Sequence, residues 1–293
     1  MKPRILVVGA TGNIGRAVVQ RLAGQGIAVR ALVRTPQKAA SLAHSNVEIV
    51  HGDLSQPETL RAALDGIKRA FVLVNAPGRH LELQGNFLEA AKQTGLEYAV
   101  NVSMHGAAPD SPIAFARAHW QLDDQLAHSG ISFTHLQPNL FMQNFFSHIA
   151  TIASSGVFYL PLGEAYVSWV DARDVGVVAA GLLANGGSEG ETLTITGPHS
   201  LTPSQSALAL SEGLGRVVRH VDVSLEATRS SLLKAGLPPT YADDLVELYR
   251  LFASGYGNVV TDVVQRVGSV APRTLGGFGM EFAERFQPKE VTQ

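Results

Sequence analysis

The sequence predicts an α/β fold, a doubly wound parallel sheet joined to a smaller, helix-rich lobe. Three observations predict it. Along the first half of the chain, short apolar runs alternate with amphipathic stretches of helical period. The first apolar run passes directly into a glycine-rich turn at residues 9–15. After Pro138 the alternation gives way to a segment dense in aromatic side chains. At about 150 residues per domain, a chain of 293 residues fits roughly two domains, or one large α/β unit with an appended lobe.

Taken in order, Ile5–Val8 is wholly apolar, as a strand covered on both faces requires. Ile14, Ala17, Val18 and Leu22 then recur at helical spacing, and Gly24 and Gly26 supply a stop. Ile27–Val33 reads as the second strand and Val47–Val50 as the third. Pro57 opens a helix carrying Leu60, Ala63, Leu64 and Ile67. Ala70–Val74 follows as a strand, then a helix from Leu83 to Gln93 that Gly95 ends, then a fifth strand at Tyr98–Val102. A helix from Ile113 to His128, closed by Gly130, precedes a sixth strand at Phe133–Leu136. Helices of this length between strands demand crossover connections, hence a parallel sheet with helices on both faces. Residues 141–159 then hold five of the chain's 20 aromatics: Phe141, Phe145, Phe146, Phe158 and Tyr159. Glu191–Thr196 reads as one more strand, and Pro203 begins an α-rich tail. The expected division places 1–139 and 165–199 in the sheet domain, and 140–164 and 200–293 in the lobe.

Composition removes several classes of function. With 23 basic and 25 acidic residues, the net charge of −2 argues against a partner held by its phosphates, so no nucleic acid is expected. There is no cysteine, which excludes thiol catalysis and thiolate metal sites. The longest apolar window, Val167 to Leu183, is broken by Asp171, Arg173 and Asp174 and falls short of the roughly 18 residues of a membrane span. None of the ten histidines is spaced as a metal pair, so no metal is expected, and no G-x-S-x-G elbow is present. A soluble cytoplasmic protein follows as the expectation, with a homodimer compatible.

The turn reads Gly9-Ala10-Thr11-Gly12-Asn13-Ile14-Gly15, one residue longer at its first gap than the G-x-G-x-x-G dinucleotide fingerprint. Glycines there permit a tight turn and close backbone approach, and the following helix offers free N–H groups to a pyrophosphate. No Lys-Ser/Thr pair follows, which excludes a Walker-type phosphate loop. Nineteen residues after Gly15, where an acid would hold a ribose 2′-hydroxyl, stands Arg34, with Lys38 four further on. Cations at this point suit a 2′-phosphate and hence NADP(H), or else are solvated surface charges. Asp53, just past the third strand, reads either as an acceptor for the adenine amino group or as a turn residue.

These residues resemble the NmrA-like branch of the atypical short-chain dehydrogenase/reductase superfamily. The likeness runs through GATGNIG at 9–15, Arg34, GD at 52–53, Ser103, PNLFMQN at 138–144, WVDARDVG at 169–176 and VTDVVQRVGSVAPRTLGGF at 260–278. Within the branch it is most similar to NAD(P)H quinone oxidoreductases and triphenylmethane-dye reductases. The resemblance implies a Rossmann domain with a substrate lobe. Its cofactor contacts would fall on Gly9, Thr11, Gly12, Asn13, Ile14, Arg34, Asp53, Asn75, Ala76 and Pro77, with Lys38 and Leu54 beside them. Contacts near the nicotinamide would fall on Ser103, Pro138 and Asn139.

One departure stands out. Short-chain dehydrogenases carry Tyr-x-x-x-Lys on the helix after the fifth strand, whereas this chain has His119-Trp120-Gln121-Leu122-Asp123. His119 shares a stripe with Phe115, Leu122 and Leu126, and Asp123, one turn on, can reach it and favour the protonated ring. His119, Asp123 and Ser103 are thus the catalytic candidates, against the alternative of a structural buried histidine. A ketone needs a strong proton donor, so its reduction is put in doubt, while an electron-poor acceptor takes hydride without one. Trp120, Phe141, Met142, Phe145 and Tyr159 could wall a flat substrate or simply form core. The function expected is an NADPH-dependent reductase delivering hydride to a quinone-like or conjugated aromatic acceptor. Two alternatives stay open: an NADP(H)-sensing regulatory protein without turnover, and a redox-neutral isomerase or cyclase.

Overall fold

The computed structural model describes residues 4–74, 76 and 78–287, apart from the side chains of Pro36 and Lys38. Asn75, Pro77 and the Lys38 side chain, all expected at the cofactor, therefore lie outside the described residues. In chain order the elements are β1 (Ile5–Val7), α1 (Asn13–Gly24), β2 (Val29–Val33), β3 (Val47–His51), α2 (Pro57–Leu64), β4 (Arg69–Val72), α3 (His80–Thr94) and β5 (Tyr98–Val102). There follow α4 (Ala114–Ala127), β6 (Ser132–Pro138), α5 (Ile149–Ser155), β7 (Val157–Leu160), α6 (Ala172–Asn185), β8 (Glu191–Ile195) and α7 (Pro203–Leu214). The chain ends with β9 (Arg219–Asp222), α8 (Leu225–Lys234), α9 (Pro239–Leu251), α10 (Val263–Gly268) and α11 (Leu275–Glu281). No helix among the described residues is long and apolar enough to cross a membrane.

The chain divides into two compact units. The first comprises residues 1–138, 172–195 and 263–270. Its seven strands pair in the order β3-β2-β1-β4-β5-β6-β8, all parallel. The order reverses between β1 and β4, and an open parallel sheet binds ligands beyond the carboxyl ends of its strands at such a reversal. Both faces are covered, which is why Leu6, Val7, Ala99 and Val100 are fully buried at successive positions. One face holds Leu60 and Leu64 of α2 with Phe87, Leu88 and Ala91 of α3. On the other, α6 packs along α1 and α10 along α6. At the α1–α6 contact a Cβ on Gly176 would lie 2.8 Å from the Ile14 carbonyl oxygen, so only glycine lets the two backbones meet. Residues 263–270, expected in the lobe, instead pack in this unit.

The second unit comprises residues 139–171, 196–262 and 271–293. Its core is aromatic: Phe145 meets Phe158 edge-on at 5.1 Å and Trp169 at 4.8 Å, and Phe252, Phe278 and Phe286 are buried in the same cluster. The Trp169 indole N–H donates to Ser206 Oγ at 2.9 Å, satisfying the one polar atom of that ring. β7 and β9 form a small parallel pair that the sequence did not predict. α7 opens with a full capping box, Thr202 and Gln205 each satisfying the other's backbone N–H.

Candidate active site

The glycine turn lies where β1 ends, at the sheet's point of reversal. Gly9 sits at φ +74°, a left-handed conformation that glycine adopts without strain. A Cβ on Gly15 would stand 2.3 Å from the Gly9 carbonyl oxygen, so turn and helix are in backbone contact. The Gly12 N–H donates to Gly9 at 3.0 Å and closes the turn. The helix cap is Gly12, with no side chain to occupy the first N–H groups, and no acid lies in the first turn. Thr11, Gly12 and Asn13 are exposed, while Ile14 is buried and anchors the helix. A helix start left uncapped, free of acid and open to solvent fits a dinucleotide pyrophosphate.

Arg34 is exposed one residue beyond β2. Asp53 lies beyond β3, where its Oδ1 accepts from both the Ser55 backbone N–H and the Ser55 hydroxyl at 2.8 Å. Those two bonds, and behind them the charges of Arg34 and Arg79, hold the Asp53 carboxyl below the usual carboxylate range. Asp53 therefore shapes its own turn. Leu54 is half-buried against the core, and its carbonyl accepts from Asn86 Nδ2 at 2.8 Å. Ala76 is also half-buried, and its N–H points at His80 Nε2 across 3.5 Å.

The structure corrects the expected His119–Asp123 pair. Asp123 faces the sheet: Ser103 Oγ lies 2.5 Å from its Oδ2, and Asn101 Nδ2 donates to its Oδ1 at 2.8 Å. His135 Nδ1 is 3.3 Å from the same Oδ1, and Gln84 Nε2 donates to Asn101 Oδ1 at 3.1 Å. Five side chains from α3, β5, α4 and β6, together with the loop after β5, thus make one buried polar network. Burial raises the Asp123 carboxyl to about 7, outweighing the bonds from Ser103 and Asn101. Burial also lowers the His135 imidazole to about 4, so between these values carboxyl and ring are both neutral and form no ion pair. Ser103 is itself buried, and its N–H donates to the Leu136 carbonyl at 2.8 Å. Spacing on one helix allowed the His119 contact, but packing turned Asp123 toward β5 and β6.

His119 meets His80 instead, with ring centroids 5.5 Å apart. Burial, with His80 adding to it, pushes the His119 imidazole down to about 4, so the ring is neutral at pH 7 rather than protonated. Burial lowers His80 as well.

The candidates for an aromatic wall divide between core and surface. Met142 and Phe145 are core residues of the second unit, each 1% exposed, in the same buried cluster as Phe158 and Trp169. Phe141 is half-buried and bridges Val170, while Tyr159 points outward from β7. Trp120 is half-buried on α4 in the first unit. A small cleft in the second unit is lined by Leu140, Phe145, Leu160 and Trp169 with His148 and Tyr249. Pro138 ends β6, and Asn139 is buried with its amide donating to the Gly257 carbonyl at 3.0 Å. In this structure Asn139 thus braces the loop around Gly257.

Asn101, His135, Gln84, His80 and Arg79 escaped the sequence reading. For the first two a signal existed, since a polar residue inside an otherwise apolar strand must find a buried partner. For Arg79 none did.

A model of the NmrA-like family matches residues 1–278. The chain is 38% identical over 282 residues to an NAD(P)H azoreductase of Xenophilus azovorans, covering 96% of this chain and 99% of that protein. It is 32% identical over 286 residues to a (4-alkanoyl-5-oxo-2,5-dihydrofuran-3-yl)methyl phosphate reductase of Streptomyces griseus subsp. griseus, covering 97% and 100%. Among solved structures, the triphenylmethane reductase of Citrobacter sp. complexed with NADP(H) matches with a TM-score of 0.82 at 27% identity, over 95% of this chain and 99% of that one.

Proposed function

This chain belongs to the NmrA-like family, and on that premise we propose that it is an NADPH-dependent reductase of quinone-like or dye-like conjugated acceptors. The observation that carries the proposal is the uncapped, acid-free start of α1 at the sheet's reversal, with Arg34 rather than an acid at the end of β2. Support for the acceptor class comes from the azoreductase relative, similar along nearly its whole length. When bound, a reduced nicotinamide dinucleotide supplies hydride. The chain's own residues bind and orient it. Gly9, Gly12 and Gly15 would let the backbone approach it, the N–H groups of Asn13 and Ile14 would hold its pyrophosphate, and Arg34 its 2′-phosphate.

The proton side of the chemistry narrows the acceptor. His119 is neutral at pH 7 and can offer a hydrogen bond but little acid. Asp123 is enclosed by its own partners. Without a strong acid the acceptor must take hydride unaided, as electron-poor quinones, azo compounds and cationic dyes do. The test is NADPH oxidation at 340 nm over a panel of quinones, azo dyes, triphenylmethane dyes and simple ketones. Turnover is expected with the first three and not with ketones. Arg34→Ala is expected to raise KM for NADPH about tenfold or more while leaving NADH unchanged. Binding of NADPH without turnover on any acceptor would refute the reductase and favour a sensor.

A further inference from the structure

α3 is tied to the loop beyond β3 by one bond, from Asn86 Nδ2 to the Leu54 carbonyl. Arg79 precedes Asn86 by seven residues, which is two helical turns along the same face, so it stands over the Asp53 side of α3. Among the described residues, Arg34 and Arg79 are the cations whose charge reaches Asp53. Arg34 arrives there from the end of β2, and Arg79 from the cap of α3. They differ in what holds them. Arg79 is clamped by Glu82, Nε to Oε2 at 2.9 Å and Nη2 to Oε1 at 2.6 Å, whereas Arg34 makes no hydrogen bond among the described residues. Both members of the clamped pair are exposed, so water already competes with it.

We infer that Arg79 is a second cation for the 2′-phosphate, parked on Glu82 in the absence of nucleotide and turned to the phosphate when one binds. The inference rests on the reading of Arg34 as a 2′-phosphate residue. A planar guanidinium held in fork geometry on a carboxylate is already arranged for a phosphate. Glu82 then acts as a positioning residue that keeps Arg79 extended toward the site and weakens binding by competing for it.

Equilibrium binding of NADP⁺ and NAD⁺ to the full chain tests this, because the two ligands differ only in the 2′-phosphate. Arg79→Ala is expected to weaken NADP⁺ about tenfold, as loss of one charge-assisted hydrogen bond does, and to leave NAD⁺ within about twofold. Glu82→Gln is expected to strengthen NADP⁺ roughly two- to threefold, and to do so only while Arg79 is present. Equal loss of both ligands in Arg79→Ala would make Arg79 merely structural and overturn the inference. So would a Glu82→Gln gain that persists in the Arg79→Ala background, which would be a general charge effect. A wild-type chain with no preference for NADP⁺ over NAD⁺ would instead overturn the reading of Arg34. Thermal melts of both variants, at exposed positions, check that they fold.

Discussion

Replacing Asp123 by Asn should change stability in a way that depends on pH. The carboxyl ionises near the ordinary 3.8 in the unfolded chain and near 7 in the fold. Across that window the native state holds a proton that the unfolded state has lost. Stability from this group is therefore complete below about pH 4 and drains away as pH rises to about 7. Between about pH 5 and pH 8 roughly two pH units of that window remain, worth about 3 kcal/mol at 1.36 kcal/mol per unit. Asparagine has the shape of the neutral carboxyl and does not titrate. His119, His135 and His148, all held at about 4 by burial, contribute the opposite slope. The first and last lie outside the network and cancel in the difference, and His135, which touches the replaced group, is already neutral in the fold between about pH 5 and pH 8. Urea unfolding followed by circular dichroism at about pH 5 and about pH 8 measures the difference. The variant should gain about 3 kcal/mol on wild type between the two conditions. A difference that stays constant with pH would mean that Asp123 is ionised like a surface carboxylate, and that the network with His135 is ionic after all.

Two other outcomes follow from the site. His119→Ala should lower kcat with a quinone less than about tenfold and leave the pH profile between about pH 6 and about pH 8 unchanged, because a ring neutral at pH 7 is not the general acid; a loss of a hundredfold or more would restore it to that role. Gly15→Ala, whose Cβ would stand 2.3 Å from the Gly9 carbonyl oxygen, should abolish dinucleotide binding and cost roughly 1–3 kcal/mol of stability, read by ligand titration and urea unfolding; a variant with wild-type affinity would show that the turn is not backbone-packed.

What the sequence disclosed was local. Tyr98–Val102 is bounded as expected because a run broken only by Asn101, set between two glycine-ended helices, allows little else. β2 begins two residues later than Ile27, because the ladder with β3 pairs Val29 with Val47 and leaves Ile27 outside it. β7 and β9 were illegible: each has four residues, and Arg219–Asp222 reads as a polar loop until Val157–Leu160 lies beside it. The same limit applied to the site. The glycine turn and Arg34 are a motif within one βαβ stretch. Asp123 found its partners on β5, β6 and the loop after β5, from 12 to 22 residues away in sequence, which helical spacing does not address.

The seam at Gly176 also bears on how the protein is made. The helix that presents the glycine turn buries its far side on α6, which lies beyond a 33-residue excursion through the second unit, Asn139–Asp171. During synthesis the nucleotide-binding strands emerge first, yet α1 stays half-bare until α6 arrives, and α6 until α10. A fragment ending at Pro138 would carry the whole fingerprint with exposed leucine and valine where α6 belongs, and an open edge on β6 where β8 belongs. Such a fragment should aggregate rather than bind, so the nucleotide half is a product of the complete chain and not a detachable module.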